Sequence, residues 1–236
     1  MAIELIYCAN GNARFAEIAI NAGFAYGAQL PGTVYYPPEF VDQDWKRPNR
    51  ERYMAALAEH RPRMASVLDW ERDKQLPEVM AWAEDAARFV DVVMIIPKVH
   101  GGISRLPRTI GGAAVRLGYS VPTTHGGTEV MAFEFLGWPV HLLGGSPGQQ
   151  MKIASTGLNV VSTDGNMMHK LAVNYCLFWK PGKRPFANGW ISIKQADGQV
   201  WGDGIENADA PYEAFRRSCE NIKNAWERHE LLHLLP

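Results

Sequence analysis

Two aspartates, Asp69 and Asp164, each follow a short apolar run that has the composition of a buried β-strand. Residues 64–68 lead into Asp69, and residues 158–163 lead into Asp164. In α/β folds the carboxyl ends of parallel strands carry reacting groups, because the loops there converge on one mouth. A carboxylate in that position can act as a nucleophile or exchange a proton with a substrate. We therefore predict that both aspartates belong to an active site.

The alternative for each aspartate is a structural one, because a carboxylate after a strand often caps the next helix. This alternative is stronger for Asp164, since a predicted helix begins almost immediately after it. It is weaker for Asp69, because the next predicted helix begins only near Gln75.

Two other strand exits are rich in glycine. Residues 91–97 run into a segment with a lysine, a histidine and two glycines, and residues 140–143 run into two more glycines. Paired glycines let backbone amides approach a planar ligand closely. We therefore predict a ligand-binding role for Lys98, His100, Gly101, Gly102, Gly144 and Gly145. The alternative for the first segment is a simple strand-to-helix turn with a solvated lysine.

Strand-like and helix-like segments alternate along most of the chain, which favours a parallel sheet with helical crossovers. Strands are predicted at 3–9, 24–28, 64–68, 92–97, 113–121, 138–143 and 159–163. Helices are predicted at 12–21, 51–60, 76–90, 126–135, 147–155 and 167–178, and residues 31–50 are predicted to form a loop. The pattern favours a compact α/β fold of the (β/α)8 TIM-like barrel type. An open doubly wound sheet is the competing architecture.

We expect the whole chain, residues 1–236, to form a single domain. Residues 1–180 would supply the core βα units. Residues 181–236 would form an irregular hairpin around Asp197 and Gly198 and then a terminal helix. That helix would bury Tyr212, Phe215, Cys219, Ile222 and Trp226 on one side.

The composition gives limits on location and partners. A net charge of −1 gives no global drive toward nucleic acid, so any such binding must come from local patches. Three widely spaced cysteines predict neither a disulfide framework nor a zinc knuckle, and favour the cytoplasm. No apolar stretch approaches the roughly 20 residues of a membrane span, and the first residues do not resemble a signal peptide. We therefore expect a cytoplasmic protein with no membrane partner.

Two segments match known catalytic motifs, but neither match supports the activity that the motif usually indicates. His229, Glu230 and His233 form an HExxH pattern, which can hold zinc, but both histidines continue a buried stripe and no third ligand follows. We predict no metal and no cofactor. Residues 144–148 match GxSxG, but Pro147 has no N–H to offer an oxyanion, which disfavours a serine hydrolase.

The order of the strand exits resembles the tRNA-guanine transglycosylase superfamily, particularly its phage and bacterial DNA-modifying branch. Residues 66–71, Ser-Val-Leu-Asp-Trp-Glu, precede a Trp-Ala pair at 82–83, as in the family. Residues 96–102 occupy the place of a Gly-Ile-Val-Gln-Gly-Gly signature, and residues 140–145 that of Tyr-Leu-Met-Gly. Residues 160–164 then match the strand that ends in the nucleophile. The family's Cys-x-Cys-x-x-Cys…His zinc site is absent, and its Asp-Ser-Gly-Gly motif has only residues 40–45 as a counterpart.

The resemblance implies exchange of guanine in nucleic acid for a 7-deazaguanine base on a (β/α)8 barrel. It implies that Asp164 is the nucleophile and that Asp69 reads the guanine edge. Asp42 or Asp44 would accept the proton of the incoming base, and the four glycines would offer amides to the base carbonyl. DNA is the favoured polymer, with tRNA as the alternative, and a homodimer is compatible with the family. Phosphates would be held by Lys46, Arg47, Arg50, Lys180 and Lys183. The alternative is that these side chains only form a solvated surface.

Two other function classes stay open at this point. One is a different TIM-barrel enzyme acting on a small molecule, with Lys98 forming a Schiff base or binding phosphate. The other is a barrel that has lost catalysis and only recruits a partner.

Overall fold

Eight parallel strands close into a barrel. The computed structural model describes residues 3–9, 11–124, 126–182, 188–193 and 205–233. The barrel sheet has nine strands, of which only the short β6 is antiparallel to its neighbour: β1 (Glu4–Cys8), β2 (Ala25–Leu30), β3 (Phe40–Gln43), β4 (Met64–Ser66), β5 (Val92–Ile95), β6 (Thr109–Ile110), β7 (Ala113–Ser120), β8 (Val140–Leu143) and β9 (Val160–Asp164). Pairing of β5 with β7 and of β9 with β1 completes the circle. The predicted (β/α)8 barrel is confirmed, and the open doubly wound sheet is wrong.

Helices cover the outside of the barrel, as the amphipathic patterns predicted: α1 (Ala13–Asn21), α2 (Arg50–His60), α3 (Leu76–Ala86), α4 (Pro147–Ala154) and α5 (Met167–Tyr175). Asn12 caps α1 by accepting a hydrogen bond from the amide of Phe15. The predicted apolar face of α3 is buried through Val79, Trp82, Ala83 and Ala86. None of the helices in the described part of the chain is long and apolar enough to cross a membrane.

Two predicted elements are wrong. The segment predicted as a loop at 31–50 contains β3, where Phe40 and Val41 are fully buried. The helix predicted at 126–135 is only a 3-10 turn at Ala132–Phe135. Gly126 and Gly127 have φ angles of +120° and +147°, which no α-helix allows. The connection from β7 to β8 therefore has no α-helix in its described residues.

The C-terminal part packs against the outside of the barrel. Strands β10 (Leu177–Pro181) and β11 (Asn188–Ser192) pair in antiparallel fashion, with Trp179 opposite Trp190. The predicted turn at Asp197 and Gly198 lies outside the described residues. The last helix, α6 (Ile205–His233), contacts β10, α5 and α1. It buries Phe215, Cys219, Ile222 and Trp226, as predicted, whereas Tyr212, predicted on the same side, is only partly buried.

The barrel encloses a small core of its own. Ile6, Phe40, Met64, Met94 and Ile96 pack together there. Because side chains alternate along a strand, the residues two positions away on these strands also face the interior. Several of these are polar, so a band of hydrogen-bonding groups lies within the barrel.

Candidate active site

A cavity of about 670 Å³ opens at the carboxyl end of the barrel strands. Its size is in the range of small-molecule and cofactor sites. Three carboxylates that the sequence singled out share it, namely Asp42 on β3, Asp69 after β4 and Asp164 at the end of β9. The cavity is also lined by Lys98, Gly144 and Gly145.

Asp164 is held by a backbone amide of the neighbouring strand exit. Its Oδ1 accepts a hydrogen bond of 3.0 Å from the N–H of Gly144. Gly144 has a φ of +67°, a left-handed conformation that favours glycine. The residue at the N-cap of α5 is Asn166 rather than Asp164. The helix-cap alternative for Asp164 is therefore wrong, and the amide of Gly144 serves the aspartate rather than a base carbonyl.

Asp42 has a strongly shifted pKa. Burial raises its pKa from 3.8 to about 7, and the charges of Asp164 and Asp69 act in the same direction. The hydroxyl of Ser66 donates to Asp42 Oδ1 at 2.5 Å and lowers the pKa against this trend. With a pKa of about 7, Asp42 can both give and take a proton near neutral pH.

Asp69 is paired with a lysine. Nζ of Lys98 lies 2.7 Å from Asp69 Oδ2 and 3.3 Å from Glu71 Oε1. About a fifth of each of the Lys98 and Asp69 side chains is exposed. Burial by itself lowers the pKa of Lys98, but the hydrogen bonds and charges of the two carboxylates outweigh it and the pKa is raised. Lys98 is therefore a stable cation that fixes one oxygen of Asp69.

The loop after β5 does not present its glycines to the cavity. The amide of Gly101 donates to Oε2 of Glu134 at 2.6 Å, and His100 Nδ1 lies 3.2 Å from Oε1 of the same carboxylate. Gly102 packs so closely on the ring of Trp70 that a Cβ would lie 2.5 Å from it. These three residues, predicted to bind a ligand, instead anchor the loop.

Some of the basic residues predicted to hold phosphates are paired with other groups or lie away from the cavity. Nη2 of Arg50 lies 2.6 Å from Oδ2 of Asp85 and donates a hydrogen bond to the carbonyl of Ala81. These contacts join α2 to α3. Lys180 is exposed on β10 and does not line the cavity, and Lys183 lies outside the described residues.

Lys46 and Arg47 are different, because they lie on the same turn as a residue of the cavity. Asp44 does not line the cavity but accepts hydrogen bonds from the amides of Lys46 and Arg47 and so closes this turn. Trp45 is 60% exposed and forms part of the cavity lining, with Nζ of Lys46 lying 5.3 Å from its ring centroid. The two basic side chains are thus beside the mouth.

Sequence reasoning missed Trp45, Cys8 and Ser66. Cys8 ends β1 and lines the cavity, so the strand-exit rule that found the aspartates could have found it. Burial raises the pKa of its thiol well above the usual value, with the Asp164 and Asp42 charges adding to the effect. Cys8 is therefore a neutral thiol and a poor nucleophile.

His229 of the HExxH pattern and Ser146 of the GxSxG pattern have structural roles, whereas the side chains of Glu230 and His233 lie outside the described part of the structure. His229 is buried on α6, and its Nε2 lies 2.9 Å from Ser155 Oγ at the end of α4. No group of three or more metal-ligating side chains occurs within the part of the chain that the structure describes. Ser146 of the GxSxG pattern is buried and caps α4 in a capping box with Gln149.

Comparison with known proteins identifies a family but no function. No curated protein matches this chain. A crystal structure of phosphoribosyl anthranilate isomerase, in complex with reduced 1-(o-carboxyphenylamino)-1-deoxyribulose 5-phosphate, is similar over 94% of this chain and 99% of that chain. Its sequence identity is 10% and its TM-score 0.37. Residues 19–227 match a family of unknown function, and the chain belongs to that family, DUF6610.

Proposed function

We propose that this protein is a transglycosylase that exchanges guanine in nucleic acid for a 7-deazaguanine base through a covalent aspartyl intermediate. The observation that carries the proposal is the sharing of one barrel mouth by three carboxylates in three different settings. Asp164 is held at one oxygen by an amide, Asp69 is paired with a lysine, and Asp42 titrates near neutrality.

Asp164 is the nucleophile of the proposed reaction. One oxygen of its carboxylate is fixed by Gly144, which leaves the other to attack C1′ of the target nucleoside. As the O–C1′ bond forms, the glycosidic C1′–N bond breaks and its electron pair leaves with guanine. The product of this half-reaction is a covalent ester between Asp164 and the sugar. Carboxylate nucleophiles form such an intermediate in glycosyl transfer.

Asp42 moves the proton that each half-reaction requires. In its protonated form it delivers a proton to the departing guanine, and it becomes a carboxylate. In that form it removes the proton from the ring nitrogen of the incoming base, which attacks C1′ and releases Asp164. A pKa of about 7 suits both directions, because an acid–base group is most effective when its pKa is near the working pH.

Asp69 reads the base. Guanine presents two adjacent donors, N1–H and the exocyclic amine, which a carboxylate can accept. Oδ2 of Asp69 is occupied by Lys98, and within the described residues no hydrogen bond is made by its Oδ1. Lys98 therefore orients Asp69. Oδ1 can accept one donor of the base, and Oδ2 has a second lone pair that can accept the other. Glu71 makes a second contact with the same ammonium group, its Oε1 lying 3.3 Å from Nζ of Lys98.

The polymer would approach along the turn that carries Trp45. Lys46 and Arg47 lie next to this aromatic side chain, and the Arg47 side chain is almost fully exposed. Neutralisation of phosphates by such groups gives most of the affinity of nucleic-acid binding. A target base in a duplex would have to be turned out of the stack to enter the cavity. DNA is favoured over tRNA only by the resemblance of the sequence.

The alternative of a Schiff-base enzyme is disfavoured by the state of Lys98. A lysine that forms an imine needs a lowered pKa so that its amine is neutral. The pKa of Lys98 is raised, because two carboxylates hold its ammonium group.

The test is base exchange in purified protein. Wild-type protein is incubated with guanine-containing DNA or tRNA and a labelled guanine or 7-deazaguanine base, and incorporation of label is measured. Asp164→Asn is expected to lose exchange by at least about 10³-fold with nearly unchanged polymer binding, because the amide keeps the shape but is a poor nucleophile. Asp69→Asn is expected to lose base selection. Guanine presents two donors to this side chain, and asparagine replaces one of the two acceptor oxygens by a donor. Each group left unpaired should cost about 1–3 kcal/mol of binding free energy.

Asp91→Asn is the matched control. This exposed aspartate precedes β5 at the opposite end of the barrel, so its variant should exchange bases like the wild type. Full exchange by Asp164→Asn would refute the assignment of the nucleophile. No exchange by the wild type with any of the four combinations of polymer and base would refute the function.

A further inference from the structure

A row of buried polar side chains leads from Asp164 into the barrel. Nε2 of His141 lies 3.5 Å from Asp164 Oδ1, and its Nδ1 lies 2.7 Å from the hydroxyl of Ser162. The same hydroxyl accepts a hydrogen bond of 2.9 Å from Nη1 of Arg116. At the far end, Arg116 lies 3.8 Å from Glu4. His141 and Ser162 have no exposed surface.

This row fixes the position of the proton on the histidine. Arg116 can only donate, so Ser162 must accept from it. The hydroxyl hydrogen of Ser162 is buried and needs an acceptor, and the acceptor at 2.7 Å is Nδ1 of His141. Nδ1 is therefore unprotonated, and the single proton of the neutral ring is on Nε2. This nitrogen faces the carboxylate of Asp164.

A second argument leads to the same tautomer. With the proton on Nδ1, the lone pair of Nε2 would face a carboxylate oxygen in surroundings of low dielectric constant, which is a repulsive arrangement. The ring itself cannot turn away easily, because Phe40 packs against it with ring centroids 5.2 Å apart. The contact between His141 and Asp164 thus has a defined donor and a defined acceptor.

We propose that His141 is a positioning residue for Asp164, held by Ser162 and Arg116 as the neutral tautomer that donates from Nε2. In the structure Nε2 is buried and makes no hydrogen bond of normal geometry within the described residues, although Asp164 Oδ1 lies within 3.5 Å. A small rotation of the carboxylate completes the bond and fixes Asp164 between two donors, the amide of Gly144 and His141. Such contacts in enzymes are often long in the free state and shorten when the substrate is bound.

The proposed row also explains the presence of an arginine inside the barrel. Burial lowers the pKa of Arg116 and the charge of Arg63 adds to this, while Glu4 opposes it. The guanidinium remains a cation at neutral pH and a permanent donor. It therefore donates to Ser162 Oγ and leaves the hydroxyl hydrogen of Ser162 to be donated to His141 Nδ1.

The first experiment measures the tautomer and does not depend on any activity. Protein labelled with ¹⁵N in its histidines is compared by NMR with the His141→Gln variant, which identifies the signals of this ring as those that disappear. His60→Gln, at the C-terminal end of α2 and outside this row, is the control that the loss of another histidine does not change the signals assigned to His141. We expect His141 to be neutral with the proton on Nε2. A proton on Nδ1, or on both nitrogens, would overturn the proposal.

The second experiment rests on the proposed function and asks whether the donor matters. A glutamine side chain at this position places an amide N–H₂ near the site of Nε2, whereas a leucine fills similar space without a donor. We expect His141→Gln to keep kcat within about threefold, and His141→Leu to lose about 10- to 100-fold in kcat with KM almost unchanged, as for a displaced reacting group. Equal kcat values for the two variants, or a loss confined to KM, would overturn the positioning role.

The outcomes of the two experiments can be separated. If the wild type shows no base exchange, the proposed function fails, whereas the tautomer measurement still decides the state of His141. If His141→Leu does not fold, His141→Gln and the tautomer remain as tests.

Discussion

Replacing Asp42 by asparagine should stabilise the fold at alkaline pH, even though the residue lies in the candidate active site. Asp42 is an acid with a pKa of about 7 in the folded protein and an ordinary value of 3.8. Between these two values the folded protein binds a proton that the unfolded chain has lost. Stability must therefore fall as the pH rises through this window. Below about pH 4 both states are protonated and the penalty vanishes, and above about pH 7 it is complete.

The size of the effect follows from the two pKa values. A difference of about 3 between them corresponds to about 4 kcal/mol, at about 1.4 kcal/mol for each pKa unit. At pH 8 Asp42 is ionised in both states, so nearly the whole difference of about 4 kcal/mol applies there. At pH 5 less than half of this remains, about 1.7 kcal/mol, because only the interval from pH 3.8 to pH 5 contributes. The asparagine side chain would still accept the hydrogen bond from Ser66, so little packing is lost.

The assay is urea unfolding of the wild type and of Asp42→Asn at pH 5 and at pH 8. The free energy of unfolding of the variant should exceed that of the wild type by about 2–3 kcal/mol more at pH 8 than at pH 5. Asp91→Asn, which changes an exposed aspartate, should show no such pH dependence. An equal difference at both pH values would refute the reasoning, because it would mean that Asp42 does not titrate between them.

The same substitution should remove base exchange if the proposed function is correct, because an asparagine cannot carry the proton. A carboxylate retained at a cost in stability is typical of a site under functional constraint. Asp42 would then lower the free energy of unfolding at neutral and alkaline pH and still be necessary for the reaction.

The barrel could be predicted from the sequence because it depends on local patterns. The apolar face of α3 and the runs before Asp69 and Asp164 are visible in the order of residues alone. Strand β3 was missed, because it has only four residues, contains an aspartate and follows a proline-rich segment. The absence of a helix in the described residues between β7 and β8 was missed because the backbone at Gly126 and Gly127 is not determined by residue type.

The site could be predicted only in part, since its electrostatics arise from contacts between distant segments. The position of Asp69 and Asp164 after strands identified them, and the resemblance added Asp42. Neither could show which carboxylate oxygens accept a hydrogen bond or an ion pair from the protein itself. The sequence predicted that Arg50 binds phosphate, but the packing of α2 on α3 places its guanidinium against Asp85. His141 stands in a run of apolar residues and carries no signal of its own. Its role depends on Ser162, which is 21 residues away in the chain.

Two further predictions test how the mouth is built. Gly145→Ala should destabilise the protein by more than about 2 kcal/mol, because its φ is +77° and the new Cβ would lie 2.5 Å from a methyl carbon of Val121. Gly101→Ala has a similar φ of +69° but open space around it, so urea unfolding should show a loss of only about 1 kcal/mol. Equal losses in the two variants would contradict the close packing at Val121. Lys98→Met should cost about 1–3 kcal/mol, since it leaves the largely buried carboxylate of Asp69 without its cation. Lys98→Arg, measured in the same way, should retain most of the stability because it keeps the charge, and a Met variant as stable as the wild type would mean that the ion pair does not hold Asp69 in place.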